Sequence, residues 1–255
     1  MEAVLFSTGC AHMESKGVAG GLPGSIQRNI VLHGAGVKAA MDRGEIPTSL
    51  ETAGAERVDV VDAKDVRWLT PEDAWMCLCT GGGGYGDPLG RDPEAVARDV
   101  RRGLCTSSEG ETLYGVVLMS DGTVNSAATA QSRAAILAER HKRGTAPEAP
   151  VSGLSFDGPE RFRVGEILAV RDGVDGPVLG CRTCNHPFGP AGEDPRAHAL
   201  VIEREIEDLS PVNSYRAESD VILREFACPN CATLFSTDLQ LRSDDPRMPE
   251  MHLKL

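Results

Sequence analysis

Cys181-Arg182-Thr183-Cys184 and, after 43 intervening residues, Cys228-Pro229-Asn230-Cys231 decide the architecture of the second half of the chain. A Cys-x-x-Cys turn brings two sulfurs together, and two such turns complete a tetrahedral S4 site. Each pair has an apolar, strand-like lead-in: Val178-Leu179 before the first, Phe226-Ala227 before the second. Two strand-borne knuckles read as a zinc ribbon, with zinc ahead of iron because nothing suggests redox work. Two other readings stand beside it. One is a redox dithiol, which needs a βαβ context that this stretch lacks; the other is four ordinary thiols. The interval exceeds the usual roughly 15–20 residues of such sites, so an insertion must fill its middle. A closed S4 site leaves no open coordination position, which makes the metal structural. His186, two residues past Cys184, reads as a polar loop residue, with a substitute or supporting ligand role as the alternative.

Outward from the knuckles, Phe162 to Val170 alternates loosely, Asp172-Gly173 is a turn, and Asp220 to Ala227 and Thr233 to Leu239 read as strands. Ala199 to Leu209 is ambiguous between strand and helix. Upstream, Gly144-Thr145-Ala146-Pro147-Glu148-Ala149-Pro150 reads as a linker. Before it the texture is mixed. Asn29-Ile30-Val31-Leu32, Val58-Asp59-Val60-Val61 and Trp75-Met76-Cys77-Leu78-Cys79 are strand-like runs, and Cys77 and Cys79 read as small core residues. Asp92 as N-cap, Pro93 at the first helical position and Glu94 in the first turn start a helix with Val96, Val100 and Leu104 on its apolar face. Gly103 is its candidate stop. Tyr114 to Leu118 reads as a strand, and Ser126 as the cap of a helix ending in Arg140-His141-Lys142-Arg143. The expected fold class is α+β: a mixed α/β part over 1–146, then a β-rich zinc-ribbon domain over 147–255.

Within the first of these parts lies Gly81-Gly82-Gly83-Gly84-Tyr85-Gly86-Asp87-Pro88. Consecutive glycines lose much backbone entropy on ordering, so a folded chain keeps them where backbones approach closely. The run lacks the Gly-Lys-Ser/Thr of a P-loop, so it does not read as a nucleotide site by itself. A structural glycine turn is the plain reading. Gly81, Gly82, Gly83, Gly84, Tyr85 and Asp87 are the candidate substrate or subunit-contact loop. The six histidines stand isolated, no nucleophile–base constellation is visible, and the catalytic residues are left unassigned.

Charge excludes two classes of partner. The 255 residues carry 26 Lys and Arg against 38 Asp and Glu, a net charge of −12. Such a chain has no basic face for nucleic-acid phosphates or for an anionic membrane. The start has no basic n-region or apolar core of a secretory signal, and no stretch is apolar enough to span a bilayer. The expected compartment is the cytoplasm, where its eight cysteines are reduced or metal-bound.

Gly81 to Val96 closely resembles the C-terminal part of the hydantoinase B family. So do Tyr114-Gly115-Val116-Val117-Leu118 with Asp121-Gly122-Thr123-Val124, and Gly20-Gly21-Leu22-Pro23-Gly24 followed by Asn29; the resemblance spans roughly 17–143. Cys181 to Gly189, with Cys228-Pro229-Asn230-Cys231, is similar to the small zinc-carrying subunit of acetone and acetophenone carboxylases. The resemblance implies an accessory zinc-binding subunit of an ATP-dependent ketone carboxylase, which joins bicarbonate to a phosphorylation-activated enolate. Hydantoinase A-like and hydantoinase B-like subunits are the implied partners, carrying ATP, Mg²⁺ and room for another divalent metal. The metal-binding N-terminal part of hydantoinase B-like subunits has no counterpart here, which implies a chain that is silent alone. A non-catalytic assembly module, and a subunit of an ATP-dependent hydantoinase or 5-oxoprolinase-type lactam hydrolase, are the alternatives.

Overall fold

The computed structural model describes residues 1–6, 15–47, 52–148, 151–206 and 220–247, and its class is the expected α+β. These residues fall into two compact units.

The first unit holds the described residues of 1–15 and 24–82. Its strands are β1 (Glu2–Phe6), β2 (Arg28–His33), β3 (Arg57–Val61), β4 (Lys64–Trp68) and β5 (Ala74–Leu78), with a short helix α1 (Val37–Asp42). β1 pairs with β4, while β2 lies between β3 and β5, every pairing antiparallel. The apolar run read at 29–32 is the central strand because both its faces are covered. Val31 packs with Leu5, Val61 and Leu69, whereas Ile30 and Leu32, one residue out of phase, pack with Ala35 and Ala53. β5 is an edge strand, and Cys77 and Cys79 are exposed rather than in the core. The Cys77 sulfur accepts a hydrogen bond from Gln27 Nε2 at 3.3 Å.

The second unit holds the described residues of 16–23, 83–206 and 220–247. α2 (Pro93–Arg101) starts as expected: Asp92 accepts the Glu94 amide and Pro93 opens the helix. Val96 is buried, but Leu104 lies past the helix end and is exposed. The strand expected at 114–118 does not form: Tyr114 is the last residue of α3 (Ser107–Tyr114), which opens on a Thr106-Glu109 capping box. Gly115, at φ 62°, terminates it, and only a Leu118–Val124 bridge of the expected strand forms. α4 (Ser126–Arg143) is capped by Asn125, one residue before the expected Ser126.

Seven strands complete this unit: β6 (Glu160–Val164), β7 (Leu168–Gly173), β8 (Gly176–Cys181), β9 (Pro187–Pro190), β10 (Leu200–Arg204), β11 (Val221–Ala227) and β12 (Leu234–Leu241). They form antiparallel sheets β6-β7-β8-β9 and β10-β11-β12. The turn expected at Asp172-Gly173 falls two residues later, because Gly173 still pairs with Gly176. Leu179, Phe188, Val201, Phe226 and Phe235 form the core between the sheets, with Phe188 edge-on to Phe235 at 5.1 Å. Leu200, Ile202 and Leu234, on the other face of the second sheet, meet Leu137 of α4. Each such side chain contributes about 1.5–3 kcal/mol by burial. Residues 144–146, read as linker, are stitched into this unit: Thr145 and Val201 exchange both backbone hydrogen bonds.

Candidate metal centre and glycine cleft

Each knuckle sits at the turn of a hairpin, Cys181–Cys184 between β8 and β9 and Cys228–Cys231 between β11 and β12. The two turns have the same backbone geometry. The Cys181 amide donates to His186 O and Asn185 N returns to Cys181 O; the Cys228 amide donates to Thr233 O and Ala232 N returns to Cys228 O. The fourth residue past each first cysteine is left-handed, Asn185 at φ 59° and Ala232 at φ 55°. β9, a 3₁₀ turn at Pro195–His198 and β10 fill much of the long interval between the pairs.

The sulfurs converge. All four lie within 4.8 Å of one another, with Cys184–Cys228 at 3.6 Å and Cys181–Cys231 at 3.8 Å. Four thiolates around one ion at about 2.3 Å would be separated by about 3.8 Å, so the residues fit a tetrahedral S4 ion. Hydrogen bonding with Cys181 and then Cys231 pushes the Cys228 thiol far up, and the same network pulls Cys231 far down. His186 is outside this group. Its ring packs edge-on to Phe188 at 6.0 Å, and burial lowers its pKa.

The glycine run is held by backbone stitching. In the first unit Gly81 N reaches Ser25 Oγ at 3.0 Å, and a Cβ on Gly24 would collide with the Gly81 carbonyl. In the second unit Gly84 O accepts Val18 N, Gly84 N donates to Leu22 O and Gly86 N donates to Val18 O, at 2.8–2.9 Å. A Cβ on Gly83 would collide with the Lys16 carbonyl, whereas one on Gly82 meets open space. Of residues 81–87 only Gly86 is left-handed, at φ 76°. The amides of Gly81, Gly84 and Gly86 are thus spent on chain neighbours, which leaves no phosphate cradle of the P-loop kind at those positions.

What Gly84, Tyr85, Gly86 and Asp87 do line is a cleft of about 500 Å³ within the second unit, shared with Leu22, Arg91, Tyr114, Glu166 and Ile167. Tyr85 is exposed, and its hydroxyl donates to Glu166 Oε1 at 2.9 Å, which raises the phenol pKa. Asp87 behaves differently. Its carboxylate is buried and taken up by Arg140 and the Leu234 amide. Of the predicted loop residues, Tyr85 alone offers a side-chain polar group to the cleft.

Two histidines are not isolated, contrary to the sequence reading. His33 lies between two carboxylates, Nε2 at 3.1 Å from Asp59 Oδ2 and Nδ1 at 3.3 Å from Asp73 Oδ1. The Thr70 amide, helped by Gly34 N and opposed by desolvation, holds Asp73 below the usual carboxylate range. This clamp ties the end of β2 to β3 and to the turn before β5. His198 Nε2 meets Glu193 at 3.3 Å. His12 and His252 lie outside the described residues.

No protein-family model matches the chain. It is 32% identical over 154 residues to the acetone carboxylase alpha subunit of Xanthobacter autotrophicus, covering 53% of this chain and 20% of that one. It is 33% identical over 127 residues to the acetophenone carboxylase delta subunit of Aromatoleum aromaticum, covering 45% and 18%. A shorter match, 49% over 55 residues, is to caprolactamase subunit beta of Pseudomonas jessenii, covering 22% and 10%. The chain is therefore homologous to acetone and acetophenone carboxylase subunits at modest identity, and spans a fifth or less of the curated relatives it matches. The nucleotide-free acetone carboxylase structure aligns over 56% of this chain and 26% of its own, at 20% identity and a TM-score of 0.39. Among the described residues, no helix is long and apolar enough to cross a membrane.

Proposed function

We propose that this chain is an accessory, zinc-holding subunit of a multi-subunit ATP-dependent ketone carboxylase. Two carboxylase relatives, each matching about half of the chain at about a third identity, carry this reading. Residues 1–146 descend from the end of a hydantoinase B-like subunit, and residues 147–255 from a zinc-carrying small subunit. Cys181, Cys184, Cys228 and Cys231 hold one Zn²⁺ as four thiolates, and the zinc keeps the two sheets together without meeting substrate. The resident metal supplies no Lewis acidity, since four thiolates fill its coordination sphere. ATP, Mg²⁺ and the enolate belong to hydantoinase A-like and hydantoinase B-like partners. Gly81 to Asp87 lies against them, so that the Tyr85–Glu166 cleft faces a shared site.

Co-expression with such partners tests this. The chain alone, given ATP, Mg²⁺, bicarbonate and acetone or acetophenone, should neither hydrolyse ATP nor consume ketone, and the reconstituted complex should do both. Turnover by the isolated chain would sink the shared-site reading. The caprolactamase match supports a second reading, a subunit of an ATP-dependent lactam hydrolase. A complex that opens caprolactam without bicarbonate, and leaves ketones untouched, selects it.

A further inference from the structure

β1 and β4 pair in the register Glu2–Trp68, Val4–Val66 and Phe6–Lys64. Directly opposed residues share a face, so these six side chains project from one side of the two-stranded sheet. The other side carries Leu5 into the core of the first unit. On the projecting side Val4 is 70% exposed, Phe6 75%, Val66 52% and Trp68 72%. Large apolar residues scattered singly over a surface are ordinary; four contiguous ones mark an interaction face.

The charges on this face sit at its ends. Glu2 stands at one end beside Trp68, and Lys64 at the other, with its ammonium 5.2 Å from the Phe6 ring centroid. A second identical face laid on the first about a two-fold axis perpendicular to the strands brings each acidic end over the other copy's basic end. Val4 and Val66 then meet at the middle. Such a pairing is isologous and self-complementary. With aromatic side chains of roughly 150–250 Å² each, the face offers on the order of 500 Å² per copy. Two copies would bury on the order of 1,000 Å², the lower bound for a specific interface. We infer that a second copy of this chain covers the β1/β4 face, giving a two-fold dimer independent of the carboxylase reading.

Sedimentation equilibrium of the full, zinc-loaded chain over about 1–200 µM tests this, since a dimer population rises with concentration. The expected result is a dimer that Trp68→Glu and Val66→Lys each convert to monomer with an unchanged circular dichroism spectrum. Glu2→Lys and Lys64→Glu should each weaken dimerisation several-fold in low salt, and the double reversal should restore it. Val174→Glu, a fully exposed position of the second unit, should leave the dimer intact. A monomer at every concentration, or a dimer indifferent to both Trp68→Glu and Val66→Lys, overturns the inference. A monomer whose Trp68→Glu variant loses only a larger co-expressed subunit also overturns it, and assigns the face to that subunit.

Discussion

Arg140 closes on Asp87 with both terminal nitrogens, Nη1 to Oδ2 at 2.6 Å and Nη2 to Oδ1 at 3.0 Å. Asp87 Oδ2 also accepts the Leu234 amide at 2.8 Å, and Arg140 donates to Ala232 O at 3.1 Å. One carboxylate thus joins the glycine loop, α4 and the strand leaving the second knuckle. Asp87 is a fastener of the fold, and the cleft gains no reactive group from it. Asp87→Ala leaves a largely buried guanidinium unpaired, at a cost of about 3–5 kcal/mol. Denaturant unfolding should show that loss in the second unit, with Asp87→Asn losing less because its amide oxygen still accepts. An Asp87→Ala variant within about 1 kcal/mol of the parent would mean that the pair is a surface-grade contact.

Metal analysis of chain never exposed to chelator should give about one equivalent of zinc, lost in Cys228→Ser. The Phe188–Phe235 core lies inside the same unit, so the variant should keep its strands while hydrogen exchange rises at 181–186 and 228–233. A fully folded sample with no zinc or other divalent metal would return the four cysteines to ordinary thiols.

The glycines make a graded test. Gly83→Val should destabilise strongly, since its Cβ meets backbone that cannot swing aside, while Gly82→Val should be tolerated within about 1 kcal/mol. In a reconstituted complex, Gly83→Val should lower turnover together with stability. Loss confined to Gly82→Val would instead mean that a partner packs directly on that open position.

Acid should loosen α3. The Thr106 amide and hydroxyl bond the Glu109 carboxylate and hold its pKa below the usual 4.5. A group depressed on folding contributes stability above its unfolded pKa and loses it as pH falls through the folded value. The helix signal should therefore fall below about pH 4.5, and Glu109→Gln should flatten that limb. Thr106→Ala should cost about 1 kcal/mol at neutral pH. Identical acid profiles for the parent and Glu109→Gln would place the transition elsewhere.

What the sequence disclosed was local chemistry. The four cysteines were legible because each pair is fixed by its own turn, and Asp92-Pro93 because a helix start is written within a few residues. Readings that depend on distant neighbours were not. His33 looked isolated because Asp59 and Asp73 approach it only once β2, β3 and the turn before β5 are in place. Cys77 and Cys79 looked like core because an apolar run does not announce that its strand is an edge. Asp87 looked like part of the substrate or subunit-contact loop because its partners stand 53 and 147 positions away. α3 was missed for a different reason: its start is a polar capping box with little apolar periodicity behind it.

The stitching of residues 16–23 onto the second unit has a consequence for synthesis. Thr237 Oγ1 donates to Gly21 O across 216 positions, and Asp238 pairs with Lys16 at 2.6 Å. The earliest-made segment of this unit therefore waits for nearly the last-made one, β12, before it can dock. Cys181 and Cys184 are likewise made before Cys228 and Cys231, so the proposed zinc site gains its second pair of sulfurs only 43 residues later. Such long-range closure is slow, so yield in a foreign host should respond more to chaperone and zinc supply than to changes on the surface.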